Sequence, residues 1–345
     1  MTALAASLAA VDRVRRGLRR RALLVAAAMT IVLLVAATLA LGLGDYPMDP
    51  WQVLRTLVGG GTRIESYIVW ETRMPRFAMA VVAGGALALA GALLQGLLRN
   101  PLASPDLLGI SGGASVAAVV GLLVFGIGGP LLAVVAFGGG AAVAVLLLVA
   151  AARRGQSGFR IILAGIGVSF LCACVIDYLL TRSKIEQAQA AYVWLAGSLN
   201  ATPWWQVATV AAVVVVTLPA VLLAARDLPV LALGPDAASG LGVRLGFVRL
   251  GVIAAAVLLT ATVCAFCGPI SFVALCAPAI ARSLRRGAAP SLGTSALVGS
   301  VLLVGADLVA QHAWPGRSIP VGAVTGALGA VFLLWLLATS KGRFA

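Results

Sequence analysis

The sequence predicts an all-α integral membrane protein with about ten transmembrane helices and both termini in the cytoplasm. Hydrophobic residues make up 61% of its 345 positions and charged residues 10%, whereas a soluble domain is about half apolar and about a quarter charged. Apolar runs of about twenty residues recur along the chain, and each is long enough for a helix to cross a bilayer. The composition excludes an ordinary soluble enzyme, an intrinsically disordered protein and a disulfide-stabilised scaffold.

Ten apolar runs are candidate transmembrane spans. The first, 22–43, follows a basic stretch, as the apolar part of a secretory signal does, but its length favours a span over a cleaved leader. Gly268 and Pro269 interrupt one long apolar stretch and divide it into two helices. The other candidates are 77–98, 109–128, 131–152, 161–180, 204–225, 248–267, 269–285, 293–311 and 319–339.

The distribution of basic residues orients the chain. With ten spans and a cytoplasmic N terminus, 18 of the 25 Lys and Arg residues fall in cytoplasmic segments, which is the bias expected of a membrane protein. The chain then divides into a basic cytoplasmic segment (1–21), one transmembrane domain (22–340) with a cytoplasmic loop at about 227–249, and a cytoplasmic tail (341–345). Loop residues account for the net charge of +14, so we expect a lipid bilayer and no nucleic acid as partner.

The sequence lacks the motifs of a self-contained enzyme. It contains no Gly-x-x-x-x-Gly-Lys-Ser/Thr phosphate loop, so it carries no ATP site of that type. His312 is the only histidine, and no Ser-His-Asp set is present. The five cysteines lie in apolar stretches without an adjacent His, Asp or Glu, which is typical of buried small side chains. We therefore expect this chain to bind no metal or cofactor of its own.

Small and acidic residues within the spans are further candidates. Glycine pairs such as Gly84-Gly85 and Gly112-Gly113 let helices approach closely, which suits either tight packing or a path that opens between helices. An ionisable group at membrane depth is a functional candidate. Asp177 and Asp307 lie near the outer ends of their spans, shallow enough to reach interfacial water or an arginine. No carboxylate lies near the middle of a span.

Two segments outside the spans combine charge with helix breakers. Arg73-Met74-Pro75-Arg76 precedes the second span, and its proline predicts an extended segment with two fixed cations. These arginines suit either the membrane interface or the docking of an acidic external partner. In the cytoplasmic loop, Gly234-Pro235-Asp236 predicts the start of a short helix that ends at Gly240 or Gly242. That helix suits either the membrane surface or a groove in a partner protein.

An ordered set of motifs spans most of the chain. It begins with Arg73-Met74-Pro75-Arg76, continues through Asn100-Pro101-Leu102-Ala103-Ser104-Pro105, and returns at 268–273 and 319–322. On these motifs the chain resembles the permease family of bacterial iron-siderophore and cobalamin ABC importers (FecCD/BtuC-like), most closely a ferric-enterobactin-type subunit. Further matching positions in the motif set are Gln95, Gly109, Pro278, Asp307 and Pro320.

The resemblance implies a BtuC-like permease of a type II ABC importer in the cytoplasmic membrane of a bacterium. It implies that a second permease subunit, a different homologous chain, forms the transport path together with this one. Two ATP-binding subunits would carry ATP and Mg on the cytoplasmic side, and an external binding protein would deliver a ferric siderophore. This chain would be a transport subunit and not an enzyme by itself.

The resemblance also implies roles for particular residues. Arg73 and Arg76 would hold acidic residues of the binding protein, and span 161–180 with its neighbours would line the path. Many family members carry Arg where Gln311 stands, which suggests that the second permease subunit supplies more of the docking charge. The segment that couples to the ATPase would include Leu233, Gly234, Asp236, Leu241, Gly242 and Val243.

Three alternatives remain open at this point. A cobalamin or haem importer would share the same family motifs but carry another cargo. A secondary carrier would work without ATPase subunits, and the absence of acidic residues deep in the spans argues against it. A membrane scaffold would have no transport activity.

Overall fold

The computed structural model describes residues 2–152, 158–285, 291–314 and 318–339, which form helices and loops without a strand. The predicted tail at 341–345 and four basic residues used in the orientation (Arg153, Arg154, Arg286 and Arg317) lie outside the described residues. The described helices are α1 (Thr2–Gly42), α2 (Pro50–Leu57), α3 (Arg63–Tyr67), a π-helix (Ile68–Arg73), α4 (Met74–Leu98), α5 (Ile110–Leu123), α6 (Gly129–Ala152), α7 (Gly158–Arg182), α8 (Ile185–Leu195), α9 (Trp204–Leu231), α10 (Pro235–Gly240), α11 (Leu245–Cys267), α12 (Val273–Arg285), α13 (Leu292–His312) and α14 (Val321–Thr339).

Seven helical runs in these ranges are long and apolar enough to cross a membrane. They are α1 from Arg16 onward, the continuous run Arg63–Leu98, and α6, α7, α9, α11 and α13. Helices α5, α12 and α14 occupy the other three predicted positions but are shorter. The 14 residues of α5 and the 13 of α12 measure about 20 Å each, less than the ~30 Å hydrocarbon core. The multi-pass membrane prediction is supported, but the predicted spans 109–128 and 269–285 exceed the helices that form there.

Backbone geometry explains why α5 and α12 are short. Helix α5 starts only after Gly109, whose φ is +75°, at the end of a loop that contains Pro101 and Pro105. Helix α11 ends before Gly268, with a φ of +71°, and α12 starts after Phe272, with a φ of +68°. Left-handed residues do not continue a right-handed helix. The predicted break at Gly268-Pro269 is confirmed, and the non-helical connection is longer than predicted.

Helix α4 is the centre of the bundle. It packs against α9, α11, α12 and α13, while α5, α6 and α7 form a second group that α11 joins to the first. Fifteen of its 25 residues are buried, and many of them are Ala or Gly. Small side chains let the surrounding helices approach α4 closely along its whole length. Helix α1, by contrast, packs on one side of this bundle, mainly against α13.

Glycines make these close approaches possible, as the sequence predicts. A Cβ added at Gly84 would lie 2.4 Å from the Gly299 carbonyl oxygen of α13, and one added at Gly113 would lie 2.7 Å from the Gly139 carbonyl oxygen of α6. The tightest contact is at Gly91, where a Cβ would lie 1.8 Å from the Ala274 carbonyl oxygen of α12. Backbone atoms cannot move aside as a flexible side chain can, so α12 sits directly against the α4 backbone.

The predicted extended conformation of Arg73-Met74-Pro75-Arg76 is wrong. The π-helix runs to Arg73, and Pro75 lies in the first turn of α4. A proline ring clashes with the carbonyl four residues earlier in a regular α-helix. The wider π-helical turn directly before Pro75 accommodates the ring without ending the helix. The helix therefore continues outward to Arg63, and both arginines project from a rigid element.

The short helix predicted in the 227–249 loop is confirmed as α10. Its N-cap is Gly234, with a φ of +120°, and it ends at Gly240. The predicted loop is too long at both ends, because α9 continues to Leu231 and α11 already begins at Leu245. Both neighbouring helices extend beyond the apolar runs that predicted them.

We expect Gly91→Ala to lower the free energy of unfolding by about 2 kcal/mol, because overpacking a tight core has a cost of that order. The matched control is Gly305→Ala in α13, where a Cβ would meet nothing within 4 Å and alanine favours the helix. The melting midpoint of each purified variant in detergent measures the difference. Equal midpoints for the two variants would contradict the close α4–α12 contact.

Candidate functional site

An ion pair links the start of α4 to the end of α13. The Arg76 Nη2 lies 2.8 Å from the Asp307 Oδ1, and the Arg76 Nε donates to the Asp307 Oδ2 over 2.9 Å. This two-point contact is the strong geometry for an arginine–carboxylate pair. The side chains are 19% and 7% exposed, so the pair is largely withdrawn from water. Of the two partners expected for Asp307, interfacial water or an arginine, the structure shows the arginine.

Two amides complete the coordination of this pair. The Asn200 Oδ1 accepts a hydrogen bond from the Arg76 Nη1, and the Gln311 Nε2 donates to the Asp307 Oδ2 over 2.8 Å. Asn200 lies in the loop before α9. In that loop the Ser198 backbone N–H donates to the Cys267 carbonyl at the end of α11 over 2.8 Å. The ion pair therefore joins α4, α13 and the loop next to α11. In the sequence, Asn200 closes the motif Gly197-Ser198-Leu199-Asn200, on which the chain resembles ferric-enterobactin-type permease subunits, and that motif did not indicate a contact with Arg76.

Arg73 binds the end of α1. Its Nη1 donates to the Leu41 carbonyl oxygen over 2.5 Å, and its Nη2 donates to the Tyr46 carbonyl oxygen over 2.6 Å. A cation at the carbonyl end of a helix is favourable because those carbonyl groups lack helical partners. Both hydrogen-bond acceptors are neutral, and the Asp45 carboxylate, which interacts with Arg73 electrostatically, forms no ion pair with it among the described residues. Arg76 is neutralised by Asp307, and Arg73 is the stronger candidate for an acidic partner.

A cavity opens beside the two arginines. Its volume is about 290 Å³, and its polar wall includes Arg73, Arg76, Asp307 and Gln311. Asp45, Tyr46 and Thr72 extend that wall toward α1, and Phe77 and Val304 are among its apolar residues. We call this region the arginine end of the bundle.

The opposite end of α4 carries a second polar cluster. The Gln95 Nε2 donates to the Leu275 carbonyl over 3.1 Å, and the Arg282 Nη1 donates to the Gln95 Oε1 over 2.7 Å. One buried glutamine thus clamps α12 to α4. The Arg99 Nη2 donates to the Leu231 carbonyl at the end of α9. We call this region the loop end, since the loop 99–109 and α10 lie next to it.

The loop 99–109 is held by local hydrogen bonds and by α7. The Asn100 Oδ1 accepts from the Leu102 backbone N–H over 2.9 Å, which closes a turn around the exposed Pro101. The Pro105 carbonyl accepts from the Leu108 N–H over 3.2 Å. A Cβ at Gly109 would lie 3.3 Å from the Gly165 carbonyl of α7. These motif residues shape the backbone, and no ligand contact is needed to explain them.

Asp106 is a functional candidate that the sequence analysis missed. Its Oδ1 accepts from the Ser111 hydroxyl over 2.5 Å, and its carboxylate also accepts from the Phe272 backbone N–H. The acids that the sequence singled out were Asp177 and Asp307 in the spans and Asp236 in the coupling segment, whereas Asp106 lies in the loop that precedes the short α5. The Asp-x-x-x-x-Ser spacing at a helix start was the available signal. The contact joins this loop to the connection between α11 and α12.

The remaining predicted residues fall at the two ends. Pro278 is buried inside α12. Pro320 lies in the turn before α14. The start of α14 contacts the arginine end, because the Gly322 backbone N–H donates to the Gly197 carbonyl over 3.2 Å. The predicted coupling residues surround α10 near the loop end. There Leu233 and Leu241 are exposed by 70% and 66%, Asp236 and Gly242 are also exposed, and Gly234 and Val243 are half-buried.

We expect Asp307→Ala to destabilise the protein by on the order of 3 kcal/mol, because it leaves the Arg76 charge largely buried without its carboxylate. The double variant with Arg76→Ala should lose less than the two single variants combined. Asp177→Ala, an exposed acid on α7, is the control and should change stability by less than about 0.5 kcal/mol. Melting midpoints in detergent give all four values. Strict additivity would show that the pair does not couple α4 to α13.

Comparison with known proteins adds independent information. Residues 31–339 match the model of the FecCD transport family. The ferric enterobactin transport system permease protein FepG of Escherichia coli is 38% identical over 90% of this chain and 95% of its own length. The Fe(3+) dicitrate transport system permease protein FecD of the same organism is 39% identical over 90% of this chain and 96% of its own length. The iron(3+)-hydroxamate import system permease protein FhuG of Bacillus subtilis is 32% identical over 91% and 96%.

Solved structures share the helical arrangement. A metal-chelate type ABC transporter in an inward-facing conformation superposes with a TM-score of 0.80 at 25% identity, covering 92% of this chain and 99% of that one. PsaBC from Streptococcus pneumoniae has a TM-score of 0.56 at 16% identity and covers 81% of this chain and 96% of that one, which shows a likeness of fold alone. The match of the family model over residues 31–339 and the identity with curated permeases over nine-tenths of the sequence lead to one conclusion: the chain belongs to the FecCD transport family.

Proposed function

We propose that this chain is the transmembrane permease subunit of an ABC importer that moves ferric siderophores across the cytoplasmic membrane. The observation that carries the proposal is the identity of 38% and 39% to a ferric enterobactin and a ferric dicitrate permease over 90% of the chain. The two-ended arrangement of polar clusters around α4 is compatible with that role. One end suits an external docking partner, and the other suits a cytoplasmic motor.

The arginine end faces the outside in this proposal, and the loop end faces the cytoplasm. The charge distribution of the sequence supports this orientation. The geometry supports it too, because residues assigned to one side meet in space. Arg76 of α4 contacts Asp307 near the end of α13, and Arg99 contacts Leu231 at the end of α9. Ten crossings with both termini in the cytoplasm would account for these contacts.

Helix α10 provides the coupling to separate ATP-binding subunits, which hold ATP and Mg. Two exposed leucines, Leu233 and Leu241, flank this helix, and apolar side chains on a short rigid helix suit a groove in a partner. The motion reaches the bundle through the short connections to α9 and α11. This chain contributes no ATPase chemistry and binds no cofactor of its own.

A second, homologous permease subunit completes the path on the exposed side of α7. Phe170 and Leu171 of α7 are exposed by 70% and 66%, and Tyr178 by 60%. An apolar wall binds a bulky ferric chelate weakly, which allows rapid release. Selectivity for one siderophore therefore resides mainly in the binding protein that delivers it.

We expect deletion of the gene to abolish uptake of one class of radiolabelled ferric siderophore, and the intact gene to restore it. The measurement uses a panel of catecholate, hydroxamate and carboxylate chelates, with labelled cobalamin and haem as controls. Loss of cobalamin or haem uptake alone would mean that the chain is an importer subunit for that compound and not for a ferric siderophore. Uptake that persists when the partner ATPase is inactivated would favour a secondary carrier. Unchanged uptake of every compound in a strain without related importers would favour a scaffold.

We expect Arg73→Gln to slow association of the external binding protein about tenfold at low salt, because a docking cation steers an acidic partner. Arg73 is the better test residue, because Arg76 forms the ion pair with Asp307 and removing Arg76 would destabilise the fold. Surface-binding kinetics of the reconstituted importer measure the rate at several salt concentrations. Two variants are the controls. Arg73→Lys keeps the charge, and Arg226→Gln removes an exposed cation near the C-terminal end of α9, away from the arginine end. Wild-type rates for a folded Arg73→Gln protein would remove Arg73 from the docking role.

A further inference from the structure

Helix α2 presents an apolar face that no other part of the described chain covers. Trp51, Leu54 and Val58 are exposed by 73%, 52% and 81%. Their spacing of three and four residues places them along one side of the helix and its C-cap. Helix α2 lies between the predicted spans 22–43 and 77–98, so this face is a finding of the structure.

The other side of α2 is anchored to the bundle. Val53 is buried in a cluster with Leu41 of α1, Met48 and Val69. The Met48 backbone N–H donates to the Gly42 carbonyl over 2.9 Å, so the chain turns back directly at the end of α1. This anchoring holds α2 beside the terminus of a membrane-spanning helix and prevents it from moving freely in water.

Polar residues border the apolar face on one edge only. Arg55 lies about 40° around the helix from Trp51, and Gln52 lies about 100° from it, at ~100° per residue. Both are exposed. The helix therefore has a buried side, an exposed apolar side and an exposed polar side. Such a cross-section suits a helix in the plane of a membrane surface, where a cation reaches the lipid phosphates.

The exposed apolar face continues the lipid-facing surface of α1. Ile31, Leu34 and Val35 of α1 are exposed by 61%, 63% and 55%. Only 6% of the residues in the most apolar stretch of α1 are buried. Since α1 crosses the bilayer, these side chains contact acyl chains. Helix α2 begins eight residues after α1 ends, which places its face at the adjoining membrane boundary.

Two tryptophans, Trp70 and Trp204, lie in the same region as α2. The Trp204 Nε1 donates to the Trp70 carbonyl over 2.8 Å, and both side chains are partly exposed. Trp70 lies in the π-helix that contacts α2. Tryptophan concentrates at membrane–water interfaces, where its ring is apolar and its N–H finds a polar partner.

From these observations we infer that α2 is an interfacial anchor. Trp51, Leu54 and Val58 insert into the boundary between headgroups and acyl chains at the arginine end, and Arg55 contacts lipid phosphate. The anchor sets the height of the arginine cavity above the bilayer, because Arg73 is tied to Leu41 at the same junction. The inference goes beyond the transport function and depends only on α1 crossing the membrane.

Nitroxide scanning tests the anchor. Single cysteines replace Trp51, Leu54, Val58 and Gln52 in a Cys174→Ser background, since the other four native cysteines are buried. The labelled chain, assembled with its subunits, is placed in nanodiscs of phosphatidylethanolamine and phosphatidylglycerol. We expect the ratio of oxygen to nickel-chelate accessibility to be several-fold higher at positions 51, 54 and 58 than at position 52. Melting midpoints confirm that each labelled protein is folded.

Two other outcomes would overturn the inference. Nickel-chelate access at all four positions would mean that α2 is surrounded by water. Low access of both reagents at positions 51, 54 and 58 would mean that another protein chain covers this face. A shift in the ratio at those positions when detergent replaces the nanodisc would add support for a lipid contact.

Discussion

The ion pair between Arg76 and Asp307 is the contact that the arginine end depends on. Neither charge is stable alone in its largely buried position, because a separated charge loses hydration without compensation. Their pairing fixes the start of α4 against α13 and holds Asn200, and with it the loop next to α11. Arg73, one helical turn earlier, then reaches the end of α1. The cavity exists between these elements because the pair fixes their relative positions.

Helix α4 carries this constraint to the loop end. Its glycines bring α12 and α13 so close that backbone meets backbone, and close-packed elements move together more readily than they deform. At the loop end, Gln95 and Arg99 bind α12 and α9. In the proposed importer, docking and ATP hydrolysis take place on opposite sides of the membrane. With the proposed orientation, a rigid central helix with polar contacts at both ends would connect those sides physically.

Several sequence predictions depended on local chemistry and were confirmed. Gly268-Pro269 ends α11 because Gly268 has a φ of +71° and the next residue lacks a backbone N–H. Gly234-Pro235-Asp236 starts α10 because proline suits a first turn. The prediction for Pro75 was wrong for a related reason. The same ring that favours an extended segment is tolerated where a π-helical turn precedes it. A rule for single residues does not contain that longer-range geometry.

The sequence by itself determined the membrane class, the approximate position of each apolar helix and the family, because composition, run length and ordered motifs are properties of the chain alone. The tertiary structure alone decided which partner each polar residue meets. Arg76 and Asp307 are 231 residues apart, and Asp106 reaches Phe272 only because α5 begins late and α12 begins close to it. Similarly, α2 could be recognised as an exposed apolar face only once its other side was found against α1. Partner choice depends on how helices pack, and packing depends on shapes that no local pattern records.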